Sequence, residues 1–172
     1  MNRFIVLLRG INVSGKNKLP MKELRELLIS SGFHNVATYI QSGNIVLESQ
    51  KSLKEVETCI SNLIEEKYDY EVPAFVYTVN DWEKIINECP YEEGEKKVYF
   101  TFLSEATKIK ELEVNKVETD EFTIKDHMVY LCCLSYGKTK LSNNLFENKL
   151  NLRATTRNSR TVMKLYEMVT NS

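Results

Sequence analysis

The sequence predicts an α+β protein built from two related modules. Short apolar runs typical of β-strands alternate with longer segments in which apolar residues recur at helical spacing. Strands and helices alternate in this way in both halves of the chain. With 172 residues, the chain is long enough for two small domains with cores of their own.

The first half has clear element boundaries. Pro20 suits the first turn of a helix and Gly32 its C-terminal end, while Ser52 and Glu55 form a capping box that opens a second helix. The predicted elements are a strand at Arg3–Arg9, a helix from Pro20 to Gly32, strands at Val36–Gln41 and Asn44–Glu48, a helix from Ser52 to about Lys67, and a strand at Pro73–Val79. This βαββαβ order is that of a ferredoxin-like α/β sandwich.

The second half repeats the theme as βαββ followed by C-terminal helices. Its predicted elements are a strand at Lys97–Leu103, a helix at Glu105–Glu113, strands at Lys116–Lys125 and Met128–Leu134, and helices at Ser142–Leu150 and Ser159–Val169. A short helix after Asn80 and the acidic turn Glu92–Glu95 separate the halves. We predict modules at residues 1–80 and 96–172, joined by a connecting helix and acidic linker at 81–95.

Composition excludes several classes of protein. Hydrophobic residues make up 42% and charged residues 27% of the chain, as in globular rather than disordered proteins. The longest early apolar run, Phe4–Leu8, is far too short for a membrane span. The four cysteines form no CxxC pair, which predicts free thiols in a reducing cytoplasm. We predict no metal site and no cofactor.

Charge is unevenly distributed although the net charge is −1. Residues 9–25 and 138–164 are strongly basic, whereas residues 48–121 carry nineteen acids against nine bases. If the two basic ends meet in the fold, they create a local positive field that attracts anions. The alternative is an ordinary solvated surface.

The loop after the first strand, Arg9–Lys18, is the first candidate site. Residues 10–17 match the phosphate-binding pattern G-x-x-x-x-G-K-[ST] except at the last position, where Asn17 replaces the hydroxyl that binds Mg²⁺. Pro20 also starts the helix too late for that motif. A looser anion site is favoured over a nucleotide triphosphatase, the alternative being a connection whose glycines permit tight turns. The candidate ligand-binding residues are Arg9, Asn12, Lys16, Asn17 and Lys18.

The hairpin that joins the second and third strands is the second candidate. Gln41, Ser42 and Asn44 concentrate hydrogen-bonding groups around Gly43. Asn and Gly are also the residues that tight turns need mechanically, which is the alternative interpretation.

A third candidate precedes the last helix. The segment Arg153–Thr161 places three arginines at the predicted helix start, where free N–H groups and the helix dipole favour an anion. The alternative is that Asn158 or Ser159 only caps the helix and the arginines pair with nearby acids. The candidate ligand-binding residues are Arg153, Thr156, Arg157, Asn158 and Arg160.

Segments Leu7–Asn17, Thr38–Asn44 and Ala154–Thr161 resemble the motifs of the family called domain of unknown function 1697. Ser14 stands where this family usually has glycine, and Ser159 where it usually has tryptophan. The second difference removes an aromatic residue from beside the arginines. The resemblance implies a two-module α+β protein, mostly bacterial and cytoplasmic, without an assigned activity.

Three functions are compatible with these residues. We favour a binding module for an anionic ligand, either a phosphorylated small molecule or a nucleic-acid backbone, with the first and third segments converging on one site. One alternative is a phosphate-ester or acyl-phosphate hydrolase, although the three segments contain no Asp, Glu, Cys or His. The other alternative is a protein-interaction scaffold that uses the acidic middle. Whether the protein is an enzyme stays open.

Overall fold

The computed structural model describes residues 1–171. The chain forms two compact units, one containing residues 1–84 and the C-terminal helical segment from Met163 onward, the other Ile85–Val162. Each unit has one four-stranded antiparallel sheet. The domain boundaries expected from the sequence, with modules at residues 1–80 and 96–172, stay a prediction. No helix among the described residues is long and apolar enough to cross a membrane.

The first unit confirms the predicted βαββαβ order. Its elements are β1 (Asn2–Leu8), α1 (Met21–Ser30), β2 (His34–Tyr39), β3 (Asn44–Ser49), α2 (Leu53–Tyr68) and β4 (Ala74–Thr78), followed by α3 (Val79–Asn87). The sheet order is β2-β3-β1-β4, with both neighbours of β1 antiparallel to it. Helix α2 begins with the expected capping box of Ser52 and Glu55.

One core fills the space between this sheet and its helices. Alternate residues of β1 face it, as the two-residue period of a strand requires. Helices α1 and α2 contribute residues at helical spacing. The buried residues of these three elements in this core are Phe4, Val6, Leu8, Met21, Leu24, Leu28, Val56, Ile60 and Ile64.

The second unit has the same sheet topology. Its elements are β5 (Lys97–Leu103), β6 (Glu121–Lys125), β7 (Met128–Cys133), α4 (Asn143–Leu150) and β8 (Ala154–Asn158). The helix that follows, α5 (Ser159–Thr170), begins in this unit, and its residues from Met163 onward belong to the first. The order β6-β7-β5-β8 repeats β2-β3-β1-β4 of the first unit. The register agrees as well, because Leu103 pairs with Ala154 as Leu8 pairs with Ala74. The chain is therefore two tandem ferredoxin-like modules.

The predicted helix at Glu105–Glu113 is wrong. The chain is non-helical from Ser104 to Asp120, and the strand predicted from Lys116 begins only at Glu121. Within this segment Leu112 and Val114, two residues apart, pack against the core of the unit. That spacing suits an extended chain, and too few apolar residues are present to bury one face of a helix.

The sequence interpretation missed strand β8. Ala154–Asn158 is polar, and we assigned it to the approach to the last helix. The segment becomes a strand because β5, 51 to 59 residues earlier in the chain, offers a complete edge from Leu103 to Tyr99. Two consecutive β-branched threonines were the local signal that favoured a strand.

Candidate functional site

The loop Arg9–Lys18 folds back on itself as a small hairpin. The Lys16 N–H donates to the Val13 carbonyl at 2.9 Å, and the Asn12 N–H donates to the Asn17 carbonyl at 3.2 Å. Ser14 and Gly15 at its tip have φ angles of 51° and 75°, as in a type I′ turn. These two N–H groups bond to the loop's own carbonyls and are therefore not available to an anion, as the N–H groups of a phosphate-binding motif are.

Asn12 fixes the position of this loop. Its side-chain oxygen accepts from the Leu19 N–H at 2.8 Å, and its Nδ2 donates to the Leu19 carbonyl at 3.0 Å. The same Nδ2 donates to the Gln41 carbonyl at 2.7 Å. Asn17 closes the base of the loop by donating from Nδ2 to the Gly10 carbonyl at 3.0 Å. Both asparagines therefore hold the backbone in place.

The hairpin between β2 and β3 packs against the end of β1. The Leu8 N–H donates to the Gly43 carbonyl at 2.8 Å. Asn44 is fully buried, and its Nδ2 donates to the Tyr39 carbonyl at 3.1 Å and to Ser42 Oγ at 2.9 Å. The first two candidate segments thus meet at one corner of the first unit, which we call the β1 corner (residues 9–19 and 39–44).

Cationic side chains project from the β1 corner. Lys16 and Lys18 are exposed, as is Gln41, whereas Arg9 is half-buried. Two exposed lysines on a loop held by Asn12 can engage a negatively charged ligand with little ordering of the protein.

Two apolar residues at the β1 corner were missed by the sequence interpretation. Val13 is 59% exposed and Ile40 is 51% exposed. Each lies next to a member of the Asn12–Gln41 hydrogen bond, so the corner presents apolar as well as basic groups. The sequence signal that could have found them is an apolar residue within a polar turn, where contact with the hydrophobic core is not expected.

Ile40 adopts a backbone conformation that a β-branched residue rarely adopts. Its φ is 50°, and the left-handed region costs an L-residue roughly 1–2 kcal/mol but is more accessible to Asn. We expect Ile40→Asn to raise the free energy of unfolding by about 0.5–1 kcal/mol after the lost apolar contact is discounted. Urea denaturation measures the change.

Val13→Asn is the matched control for Ile40→Asn. It makes the same change of polarity at an exposed residue without a positive φ. If the free energy of unfolding rises equally in both variants, or falls in Ile40→Asn alone, the backbone conformation of Ile40 stores no strain.

The third candidate segment does not gather its arginines at one helix start. Arg153 precedes β8, Arg157 lies within the strand, and Arg160 belongs to the first turn of α5. Strand β8 alone spans roughly 13 Å at the usual rise per residue. Arg153 and Arg160, both exposed, therefore lie at opposite ends of the strand.

Arg157 is buried, with 8% of its surface exposed. Its Nη1 donates to Thr155 Oγ1 at 2.8 Å and to the Thr156 carbonyl at 2.9 Å. Burial lowers the pKa of the guanidinium to about 10, so the group still carries its charge at neutral pH. Its position within the sheet indicates a structural role.

Thr156 and Asn158 also serve the fold. Thr156 Oγ1 lies 2.6 Å from Asn143 Oδ1 and 2.7 Å from Thr101 Oγ1. Asn158 Oδ1 accepts from the Thr161 N–H at 2.8 Å, which is the N-cap interaction named as the alternative. Ser159 Oγ donates to Glu93. These contacts engage the Thr156 and Ser159 hydroxyls and the Asn158 amide oxygen.

The described residues offer neither a metal-ligand cluster nor an activated thiol. They contain no group of three or more His, Cys, Asp or Glu side chains arranged to hold a metal ion. All four cysteines are free thiols, and burial raises the pKa of Cys89, Cys132 and Cys133, the last to about 11. Raised values disfavour the thiolate that nucleophilic catalysis needs.

Comparison with known proteins identifies the family. The profile described as "Protein of unknown function (DUF1697)" matches residues 1–130. The chain belongs to this family. The match to DUF1697 includes the β1 corner but ends before the Arg153–Thr161 segment. No curated protein matches the chain.

A solved structure shares the whole architecture of this DUF1697 member. It is described as the structure of conserved bacterial protein SP0830 from Streptococcus pneumoniae, and it is 26% identical to this chain. The TM-score is 0.75, and the similarity covers 98% of both chains. The two-module fold therefore extends beyond the residues that the family profile matches. Neither description states an activity.

Proposed function

We propose that this protein binds an anionic ligand, a phosphorylated small molecule or a nucleic-acid backbone, at the β1 corner. The observation that carries the proposal is the anchoring of the loop by Asn12, with Lys16 and Lys18 exposed beyond the anchor. A loop already ordered loses little conformational entropy when it binds. Arg9 lies at the base of the same loop and adds positive charge.

The magnitudes favour a ligand with several phosphates. An exposed ion pair contributes only about 0.2–1 kcal/mol, so two or three cations hold a single phosphate weakly. A nucleic-acid backbone engages the same cations and gains additional free energy from counterion release. The proposal uses neither the buried Arg157 nor the separated Arg153 and Arg160.

The variant Lys16→Ala/Lys18→Ala tests this proposal. We expect about five- to tenfold weaker binding of a single-stranded oligonucleotide in fluorescence anisotropy, since two exposed ion pairs are lost. The magnitude of the slope of log K against log salt should decrease by about 0.7 for each lysine removed, the value for single-stranded nucleic acid. Inorganic phosphate and ATP, followed by thermal shift, provide the small-molecule arm.

Lys51→Ala is the control, because Lys51 is an exposed lysine outside the β1 corner. It should leave binding unchanged. The proposal fails if no anion binds, or if Lys51→Ala weakens binding as much as the double variant does. Binding of ATP without binding of the oligonucleotide would indicate a small phosphorylated ligand.

Exposed Val13 and Ile40 favour a second candidate, a protein partner with acidic and apolar side chains. Val13→Asp would then weaken association with that partner more than Lys16→Ala does, because the apolar contact is lost and a charge that repels acidic side chains is added. Analytical ultracentrifugation of the wild type and both variants also tests for self-association.

The proposal includes a cytoplasmic location, in keeping with four free thiols. Cell fractionation with an antibody against the protein checks it, and recovery outside the cytoplasm would contradict it.

A further inference from the structure

Backbone strain is concentrated at the β1 corner. Eight of the described non-glycine residues have a positive φ, and four of them lie here: Asn12, Ser14, Asn17 and Ile40. Asparagine accommodates this conformation, whereas a β-branched residue adopts it only at a cost. The Ile40 side chain is also 51% exposed, so contact with the core does not offset that cost. A strained and exposed isoleucine indicates a contact made with a ligand.

Val13 places a second apolar side chain beside a cation. Val13 and Lys16 pair across the turn at Ser14 and Gly15. Residues opposed in this way have Cβ atoms about 4.5–5.5 Å apart and side chains on the same face of the hairpin. Among the described residues, neither Lys16 nor Lys18 forms an ion pair. The tip of the loop therefore presents an apolar group and an uncompensated positive charge side by side.

This combination distinguishes between the classes of anionic ligand. Inorganic phosphate and duplex nucleic acid engage the lysines but offer Val13 and Ile40 no apolar surface, because the base faces of a duplex are stacked inside it. Lipid surfaces are bound by clusters of about four to eight basic residues, whereas the β1 corner has three, Arg9, Lys16 and Lys18. A single strand alternates phosphates with accessible base faces, which pack against apolar side chains.

We infer that the β1 corner binds single-stranded nucleic acid, with base faces packed on Val13 and Ile40 and phosphates paired with Lys16 and Lys18. The inference rests on the proposed function, since the same lysines hold the phosphates. It adds that the bases, and not charge alone, contribute to the affinity. Ile40 then keeps its strained conformation because its side chain contacts the ligand, at the expense of stability.

Fluorescence anisotropy with three probes of equal length tests the inference. The probes are a single-stranded oligonucleotide, an abasic strand with the same sugar-phosphate backbone, and a duplex. The abasic strand should bind about tenfold more weakly than the single strand, as expected when about 55 Å² of apolar contact is lost. Equal binding of the abasic strand, or binding of ATP but of none of these probes, would overturn the inference and leave the proposed function standing. Both fail if no anion binds.

The double variant Val13→Asn/Ile40→Asn removes the apolar surface and keeps every charge. It should weaken binding of the single strand about tenfold and leave binding of the abasic strand, binding of the duplex and the salt dependence unchanged. Lys16→Ala/Lys18→Ala should instead weaken binding of all three probes. Ile29→Asn is the control, because Ile29 is 56% exposed and lies on α1, outside the β1 corner. It should leave binding intact.

Urea denaturation of each variant separates binding from folding. Ile40→Asn is expected to be at least as stable as the wild type, so weaker binding by this variant cannot be attributed to unfolding. If the double variant does not fold, Ile40→Asn alone should weaken single-strand binding about threefold and leave binding of the abasic strand unaffected. Unchanged affinity in folded Val13→Asn and Ile40→Asn would overturn the inference and leave the two apolar residues to a protein partner.

Discussion

Gly43→Ala should destabilise the first unit by roughly 3 kcal/mol, the largest effect expected of a single methyl group in this unit. A Cβ at this position would lie 2.6 Å from Leu8 Cβ and 2.9 Å from Ile11 Cδ1. Leu8 Cβ is held by its own strand and cannot move aside. The φ of 78° adds about 1 kcal/mol for any L-residue.

Gly15→Ala separates these two contributions. Gly15 has nearly the same φ, 75°, but no atom outside Gly15 and its two chain neighbours lies within 4 Å of the added Cβ. Only the conformational cost of about 1 kcal/mol should remain, and urea denaturation compares the two variants. Equal losses would show that the β1 corner is loosely packed and that the hairpin is not held against β1.

Asn12→Ala should cost about 2–3 kcal/mol and should also loosen the loop that carries the lysines. Three side-chain hydrogen bonds to Leu19 and Gln41 are lost. Each contributes about 0.5–1.5 kcal/mol, with solvent replacing part of the exposed contact to Gln41. A φ of 53° is a further cost for alanine that asparagine tolerates.

Asn12→Gly is the matched comparison, because it loses the same hydrogen bonds but accepts the backbone conformation. It should be less destabilising than Asn12→Ala by about 1 kcal/mol. In both variants the Leu19 amide should exchange its hydrogen faster, since its acceptor is gone. Unaltered exchange at Leu19 would contradict the anchoring role of Asn12 and remove the observation behind the proposed function.

Local patterns carried most of the fold prediction. The short apolar run of β1 and the capping box of Ser52 and Glu55 act over a few residues, and the structure confirms both elements. The helix at Glu105–Glu113 failed because charged residues of good helix propensity do not form a stable helix without an apolar face to bury.

The candidate site was predictable in composition but not in arrangement. Glycines, asparagines and lysines marked the loop Arg9–Lys18, and their types indicated a turn or an anion site. One hydrogen bond of Asn12 reaches the Gln41 carbonyl, twenty-nine residues away. The sequence therefore could not show that the Asn12 side chain binds backbone groups of the protein and not a ligand. The exposure of Ile40 and the burial of Arg157 likewise depend on which segments pack around them.

The sequence by itself determined the two-module α+β class, most strands and helices, and the family, since these follow from periodicity, caps and motifs within short windows. The tertiary structure decided the rest. It made Ala154–Asn158 a strand by pairing it with β5, and this placed Arg153 and Arg160 at its opposite ends. It also turned a near-match to a phosphate-binding motif into a small hairpin held by Asn12. For the strand, the physical reason is that its partner β5 lies far along the chain and becomes a neighbour only when the sheet forms. The hairpin depends on short-range bonds of Asn12 to Asn17 and Leu19, which residue types alone do not specify, and on one long-range bond to Gln41.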